Sequence, residues 1–322
     1  MGQYIHYLKD NGISCFVFPC IPNKYYLPNN RKITVYFVAI TKIINRSIGV
    51  LLGLFFDIIF LQRNLLPWDK LFTLEKVLKK FNKKVIFDFD DAIYLNIPYN
   101  FAEVAKLSDT VIAGNRFLKS KVLEYNSNIL IIPTPVDTDK YVPAGKRIAG
   151  KEIVIGWMGS SSGLVNIDIV MPAIKRLHRN YKIVFKIISD KPAQKAEIKA
   201  NSCFQKWSEK SEVADIQSMD IGIMPLYEDE LNKGKCGFKI LLYMACAIPA
   251  VASPVGCNKE IINDSANGFL AATEEEWYEK LERLIEDAEL RNAIGVEGRK
   301  TAESSYSLKV NAPKLLEIIR DV

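Results

Sequence analysis

Short apolar runs alternating with longer amphipathic stretches set the strongest limit on what this chain can fold into. In the first half the runs lie at 13–19, 57–62, 84–89, 109–114 and 128–135; in the second they lie at 152–159, 182–190, 220–226, 248–254 and 267–272. Brief apolar runs separated by helix-length segments are the pattern of parallel strands covered by helices. The two series are divided by a polar stretch at 143–152, PAGKRIAGKE. The sequence therefore predicts an α/β protein of two doubly wound domains joined by a short linker. With 322 residues, 49% of them hydrophobic, the chain has material for two cores. Ligands of such sheets bind beyond the carboxyl ends of the strands, so the residues that end each run are the first candidates for function.

The chain does not open on a strand. Tyr4, Tyr7 and Leu8 followed by Gly12 read as a short helix with its glycine stop. Gln3, His6, Lys9 and Asp10 occupy the positions where a secretory leader would need an apolar core. The most apolar region, SIGVLLGLFFDIIFLQ, is uncharged only from Ser47 to Phe56, which is short of the roughly 20 residues a membrane span needs. A buried or interfacial helix is the expectation there. Six cysteines without a Cys-x-x-Cys pair, most of them in apolar runs, read as reduced core thiols of a cytoplasmic protein. Two histidines, His6 and His178, are too few and too far apart for a histidine zinc site.

Charge is unevenly distributed. Residues 1–150 carry 20 Lys and Arg against 12 Asp and Glu, whereas the remainder carries 23 against 25. A basic first half suits an anionic partner such as a membrane surface, a phosphorylated substrate or nucleic acid; an ordinary solvated surface is the alternative.

Three motifs stand at strand ends. In VIFDFDDAIY, Asp88, Asp90 and Asp91 close an apolar run, and an Asp-x-Asp in that position is one way to hold a divalent cation. In IVIGWMGSSSGLVNI, Gly159 permits a tight turn, and Ser160, Ser161 and Ser162 precede a helix near Asn166. Small residues there let backbone N–H groups approach a phosphate. The stretch lacks both the G-x-G-x-x-G spacing and a P-loop lysine, so a plain strand-to-helix turn stays open. In LNKGKCGFKILLYMA, Lys233, Lys235 and Lys239 crowd a loop and first helical turn, where their charge opposes the helix dipole. A bound phosphate would offset that cost; a solvated loop is the alternative.

The segment GFKILLYMACAIPAVASPVG, with KEIINDSANGFLA, IIPTPVDTDKYVP and IGWMGSSS, resembles the family 4 retaining glycosyltransferases of GT-B fold. The resemblance spans nearly the whole chain and is strongest in its second half. It implies two Rossmann-like domains facing across a cleft: an acceptor domain at 1–146, with a C-terminal helix at about 305–322 packing back on it, and a donor domain at 147–304. It also implies retaining transfer from a nucleotide sugar, here a UDP-sugar such as UDP-GalNAc or UDP-GlcNAc, without an essential metal or other cofactor. Bacterial members that build O-antigen or capsule are the most similar, an N-acetylgalactosaminyltransferase among them. Their acceptor is a saccharide on a polyprenyl-diphosphate lipid, which implies a cytoplasmic protein peripheral at the inner face of an anionic plasma membrane, with no nucleic-acid partner.

The donor-site residues so implied are Gly159, Ser160, Ser161, Lys235, Gly237, Lys239, Gly256 and Glu260. Asp90 and Asp91 stand where the family often has His-Asp, which makes them acceptor-side carboxylates rather than metal ligands. A helix cap and a turn carboxylate are the alternative for this pair. Two departures matter. The family's Glu-x7-Glu pair falls on Gly234 and Leu242, neither of which can hold ribose, and Glu260 is the substitute candidate. The strand and glycine loop with which the family begins have no counterpart here. A non-catalytic GT-B subunit is the rival reading, and a nicotinamide oxidoreductase would need a dinucleotide fingerprint that is absent.

Overall fold

The computed structural model describes residues 2–18, 32–62, 65–66, 73–81, 83–96, 98–145 and 152–322, with the side chains of 32–39, 98 and 99 left aside. Lys24, Arg31, Cys20 and the linker residues 146–151 lie outside the described residues, as does the side chain of Lys32. The chain forms two compact units, Met1–Pro133 with Ala312–Val322, and Thr134–Asn311.

The first unit is built on four parallel strands, β1 (Ile58–Leu61), β2 (Lys84–Phe89), β3 (Thr110–Ala113) and β4 (Ile129–Ile131), in spatial order β1-β2-β3-β4. Val85, Ile86, Phe87, Val111, Ile112 and Ala113 are buried, as strands covered on both faces require. Phe87, Phe89 and Phe101 cluster on one side, with the rings of Phe89 and Phe101 edge to face at 5.0 Å. Asn115 starts the helix Arg116–Val122 by accepting the Leu118 N–H on its side-chain oxygen at 2.8 Å. The short helix Ile5–Asp10 ends as the sequence predicts, with Gly12 at φ 83°.

The apolar run at 13–18 joins neither sheet. Phe16 stacks on Phe56 instead, with centroids 5.9 Å apart, while Val17 faces solvent. Hydrophobicity marks this run as sticky, and no neighbouring strand edge takes it up. The apolar segment near 47–56 lies in the long helix Lys32–Gly53 and the turn after it. No helix among the described residues is long and apolar enough to cross a membrane.

The second unit carries β5 (Ile153–Met158), β6 (Ile183–Ser189), β7 (Cys203–Lys206), β8 (Ile221–Met224), β9 (Ala250–Ala252) and β10 (Phe269–Leu270), all parallel, in order β10-β9-β8-β5-β6-β7. The chain moves outward from β5 to β7, then restarts at β8 on the other side and moves outward to β10. The switch point therefore lies between β5 and β8. There the ladder covers only Ile155 opposite Ile221 and Gly156 opposite Gly222, after which the strands diverge. β7 has no apolar run to announce it: it is an edge strand whose four residues are all exposed, Cys203 among them. Cys203 is thus no core thiol, in contrast to the buried Cys246 and Cys257.

Residues 134–145 belong to this second unit. Val136 pairs with Ser307, and the Arg299 guanidinium donates to the carbonyls of Thr138, Tyr141 and Ala245 while its Nε meets Glu303. Five donors in a rigid fork suit arginine to gathering several carbonyls at once.

Candidate functional site

The two segments that leave the switch point in the second unit are the loop after β5 and the helix Phe238–Ala245 that follows β8. Tyr243 of that helix, fully buried, accepts the Met158 N–H on its hydroxyl at 3.0 Å and donates to the Ile223 carbonyl at 3.4 Å. The phenol thus occupies the fork between the diverging strands. Gly222 makes room for it, since a Cβ there would stand 2.4 Å from the Tyr243 ring.

About one turn from its buried tyrosine, the same helix presents Lys239. Its ammonium lies 5.3 Å from the centroid of the buried Trp157 ring, and its Cε would be 2.6 Å from a Cβ on Gly159. The lysine therefore passes over the backbone of the β5 loop at the one residue without a side chain. No carboxylate among the described residues pairs with it. Burial, joined by the positive charge of Lys235, pushes its ammonium down to about 8. Lys233, in contrast, is engaged with Glu228 at 3.2 Å. A half-buried cation with a second cation beside it and no anion of its own is an anion site in electrostatic terms.

The loop itself is partly committed. Gly159 N–H donates to the Ile188 carbonyl, and the hydroxyls of Ser160 and Ser162 share a hydrogen bond at 2.9 Å. Ser161 opens a 3-10 helix, Ser161–Ile169, which contains Asn166, where a helix was expected. Its N–H and hydroxyl both donate to Asp190, at 2.6 and 3.0 Å. Asp190 directly follows β6, and these bonds hold its carboxyl below the usual carboxylate range. Asp190 carries little signal in the sequence beyond being a polar residue that closes the apolar run at 182–190.

Gly237 and Gly256 are required by the backbone. Gly237 caps the helix Phe238–Ala245 at φ 67°, and Gly256 turns at φ 54° with its α-carbon against the Lys233 carbonyl, 2.6 Å from where a Cβ would stand. Between them Cys257 Sγ donates to the Lys235 carbonyl. Glu260 is exposed on the short helix Asn258–Ile261, and its carbonyl meets the Tyr306 hydroxyl at 3.5 Å. Leu242, at the position where a ribose-binding glutamate would stand, is 2% exposed and part of the core. The structure thus brings Gly159, Ser160, Ser161, Lys235 and Lys239 to one end of the sheet, with Gly237 and Gly256 shaping the lysine loop.

In the first unit, Asp90 and Asp91 are exposed just beyond β2, and Asp91 Oδ1 accepts the Ala92 N–H at 2.9 Å. The perturbed carboxyl of the triplet is Asp88, half-buried in β2 and bonded by Gln62 Nε2 at 3.3 Å. Burial pushes it up to about 6, with Asp90 adding to the rise and Gln62 opposing it. The buried hydroxyl of Tyr4, which the Asp88 charge pushes up further, makes no hydrogen bond among the described residues. Nor does any group of three His, Cys, Asp or Glu among them have the arrangement to hold a metal ion.

Comparison with known proteins sets likenesses beside this geometry. Residues 152–287 match the family model described as glycosyl transferases group 1. An uncharacterized glycosyltransferase of Methanocaldococcus jannaschii is 25% identical over 227 residues, 70% of this chain and 62% of that protein, so the match spans less than two thirds of the relative. Among solved structures, a glycosyltransferase from Rickettsia africae superposes with a TM-score of 0.74 at 16% identity, over 99% of this chain and 93% of its own. Anabaena HepE in complex with UDP-glucose gives 0.71 at 13% identity, over 98% and 88%. A sucrose-phosphate synthase from Thermosynechococcus elongatus gives 0.68 at 10%, over 92% and 81%. These likenesses fix the fold as the GT-B type of parallel α/β architecture.

Proposed function

We propose that this chain, whose residues 152–287 match the family model of group 1 glycosyl transferases, transfers a sugar from a UDP-sugar to an acceptor hydroxyl with retention of configuration. The observation that carries the reading is Lys239: an ammonium without an anion among the described residues, at the switch point, over Gly159 and beside Lys235. The negative charge that develops on a departing UDP is what such a pair stabilises. The UDP-glucose bound by HepE supports a uridine donor. In the reaction the acceptor oxygen bonds to the anomeric carbon as the bond to the diphosphate oxygen breaks, and the acceptor proton passes to a donor phosphate oxygen. No side-chain nucleophile takes part. Asp90 and Asp91, exposed at the end of β2, orient the acceptor hydroxyl. No step is routed through a metal, so turnover should survive EDTA.

The acceptor in this reading is a saccharide on a polyprenyl diphosphate, the type of substrate used to build O-antigen or capsule, with N-acetylgalactosamine as the transferred sugar. Support for membrane docking comes from the helix Lys32–Gly53. Ile40, Ile44, Ile48 and Leu51 are all exposed and recur every three or four residues, so they share one face. Phe55, beyond its end, is 86% exposed, and Phe16 and Val17 are also exposed. Lys42 and Arg46 fall on the other side of the helix, and Arg46 donates to the Phe18 carbonyl. The apolar face, backed by the basic charge of the first half, is what suits a peripheral protein.

Titration calorimetry with UDP tests the donor reading. Lys239→Ala should weaken binding by roughly 1.5–3 kcal/mol, the worth of a charge-assisted hydrogen bond. Unchanged UDP affinity in that variant, or no UDP binding by the wild type, would sink it and favour the non-catalytic subunit.

A further inference from the structure

Leu242 leaves the donor unit without a carboxylate on its nucleotide-binding helix, yet a nucleoside diphosphate still presents a ribose diol. The lysine end of the site accounts only for its phosphates. Asp190, which directly follows β6 and is bonded to the β5 loop through Ser161, is a group of matching chemistry at the same strand ends. Gly159 follows β5, Asp190 follows β6 and Trp207 follows β7, and the backbone stitches the three together: Gly159 N–H donates to Ile188, and Trp207 N–H donates to Ser189 at 2.9 Å. Adjacent strands lie about 4.8 Å apart, so these three positions line up over about 10 Å.

Charge gives the line a direction. Its cationic end is Lys235 and Lys239 over Gly159, and its anionic point is Asp190, which has no ion-pair partner among the described residues. An anionic ligand group is drawn to the first and kept off the second, whereas a hydroxyl, which donates, suits the second. Asp190 is also held in place for that role. Oδ1 takes the Ser161 N–H at 2.6 Å and the Ser189 hydroxyl at 3.3 Å, and Oδ2 takes the Ser161 hydroxyl at 3.0 Å. An ionised carboxylate has about four acceptor sites, which leaves one on Oδ2. The side chain is exposed, so that site is open to a ligand. Beyond it, the Trp207 indole is 42% exposed and tethered through Nε1 to Glu212 at 3.2 Å, an aromatic surface one strand further from the phosphates.

We propose that Asp190 Oδ2 accepts a ribose hydroxyl of the donor nucleotide, taking over the contact that Leu242 cannot make and that the exposed Glu260 was expected to supply. The inference rests on the donor reading above and deepens it. Asp190 is the specificity residue for a ribose ring, and the Ser161 N–H serves the carboxylate rather than the phosphate.

The test compares binding of UDP, 2′-deoxy-UDP, 3′-deoxy-UDP and inorganic pyrophosphate to the wild type and to Asp190→Ala. The wild type should bind UDP roughly tenfold more tightly than at least one deoxy analogue, as expected for loss of a hydrogen bond to a charged group. In Asp190→Ala that discrimination should collapse to within about twofold, while pyrophosphate affinity stays at the wild-type level. Discrimination that persists in Asp190→Ala overturns the proposal, as does a wild type that does not distinguish the analogues. A parallel loss of pyrophosphate affinity would reduce Asp190 to a brace for the Ser161 loop and also overturns it. If the wild type binds neither UDP nor pyrophosphate, the donor reading itself fails, a result distinct from the others.

Discussion

The Tyr243 hydroxyl accepts the Met158 N–H at 3.0 Å, one helix reaching into the place where two parallel strands part. β5 and β8 diverge after a two-residue ladder, and a buried backbone donor at that point must find a partner. A side chain supplies it. Tyr243→Phe keeps the ring and deletes the acceptor, so Met158 N–H is left buried and unsatisfied. The variant should lose about 1–3 kcal/mol of stability. Urea unfolding with an unchanged midpoint would show that the fork does not depend on this bond.

On the proposed donor reading, Lys239 makes UDP binding sensitive to pH in a defined sense. Its ammonium, pushed down to about 8, is charged below that value and neutral above it. An anion binds the charged form, so binding takes up a proton at higher pH. UDP affinity should be flat below pH 8 and fall by up to tenfold per unit above it. Lys239→Met should bind weakly with no such slope. Wild-type affinity that holds steady from pH 7 to 9.5 would contradict this.

Asp88 carries a cost that should be measurable without substrate. Its carboxyl, pushed up to about 6, keeps a proton in the folded state that the unfolded chain releases near pH 4. Stability therefore falls as pH rises through that interval. Asp88→Asn should melt at a higher temperature than the wild type at pH 7, with the gap closing toward pH 4. A variant that is less stable at both values would point to a role for the ionised carboxylate.

Docking through the helix Lys32–Gly53 predicts binding to anionic vesicles that weakens as salt approaches about 0.5 M. Ile44→Asp with Leu51→Asp should abolish most of it and leave UDP affinity intact. Wild-type protein that ignores anionic vesicles at low salt would argue for a soluble acceptor.

The fold was legible wherever burial wrote itself into apolar runs: β2, β3, β5, β6 and β8 all lie within stretches the sequence marks. It was illegible where burial plays no part. β7 is an exposed edge held by backbone ladder bonds to β6, so its residues show no hydrophobic pattern. The run at 13–18 errs the other way, apolar without a strand to pair with. At the site, Gly159 and Lys239 could be singled out because small residues and clustered cations are unusual at those positions. Asp190 could not, since one aspartate after a strand looks like any turn until the Ser161 bonds are seen. Tyr243 lay hidden for a similar reason: the glycine that makes room for its ring, Gly222, and the Met158 N–H that it accepts come from distant parts of the chain.

The grip of Arg299 on residues 138 and 141 bears on how such proteins can recombine. A crossover at the polar stretch near 147 would separate the guanidinium from two of the carbonyls it gathers, and would strip Val136 from Ser307. A crossover at 133/134 would carry all of these groups together. The heritable module built around the second sheet is therefore longer at its start than the hydrophilic seam suggests, and grafts that respect the arginine's reach should tolerate foreign first halves better than grafts cut at the seam.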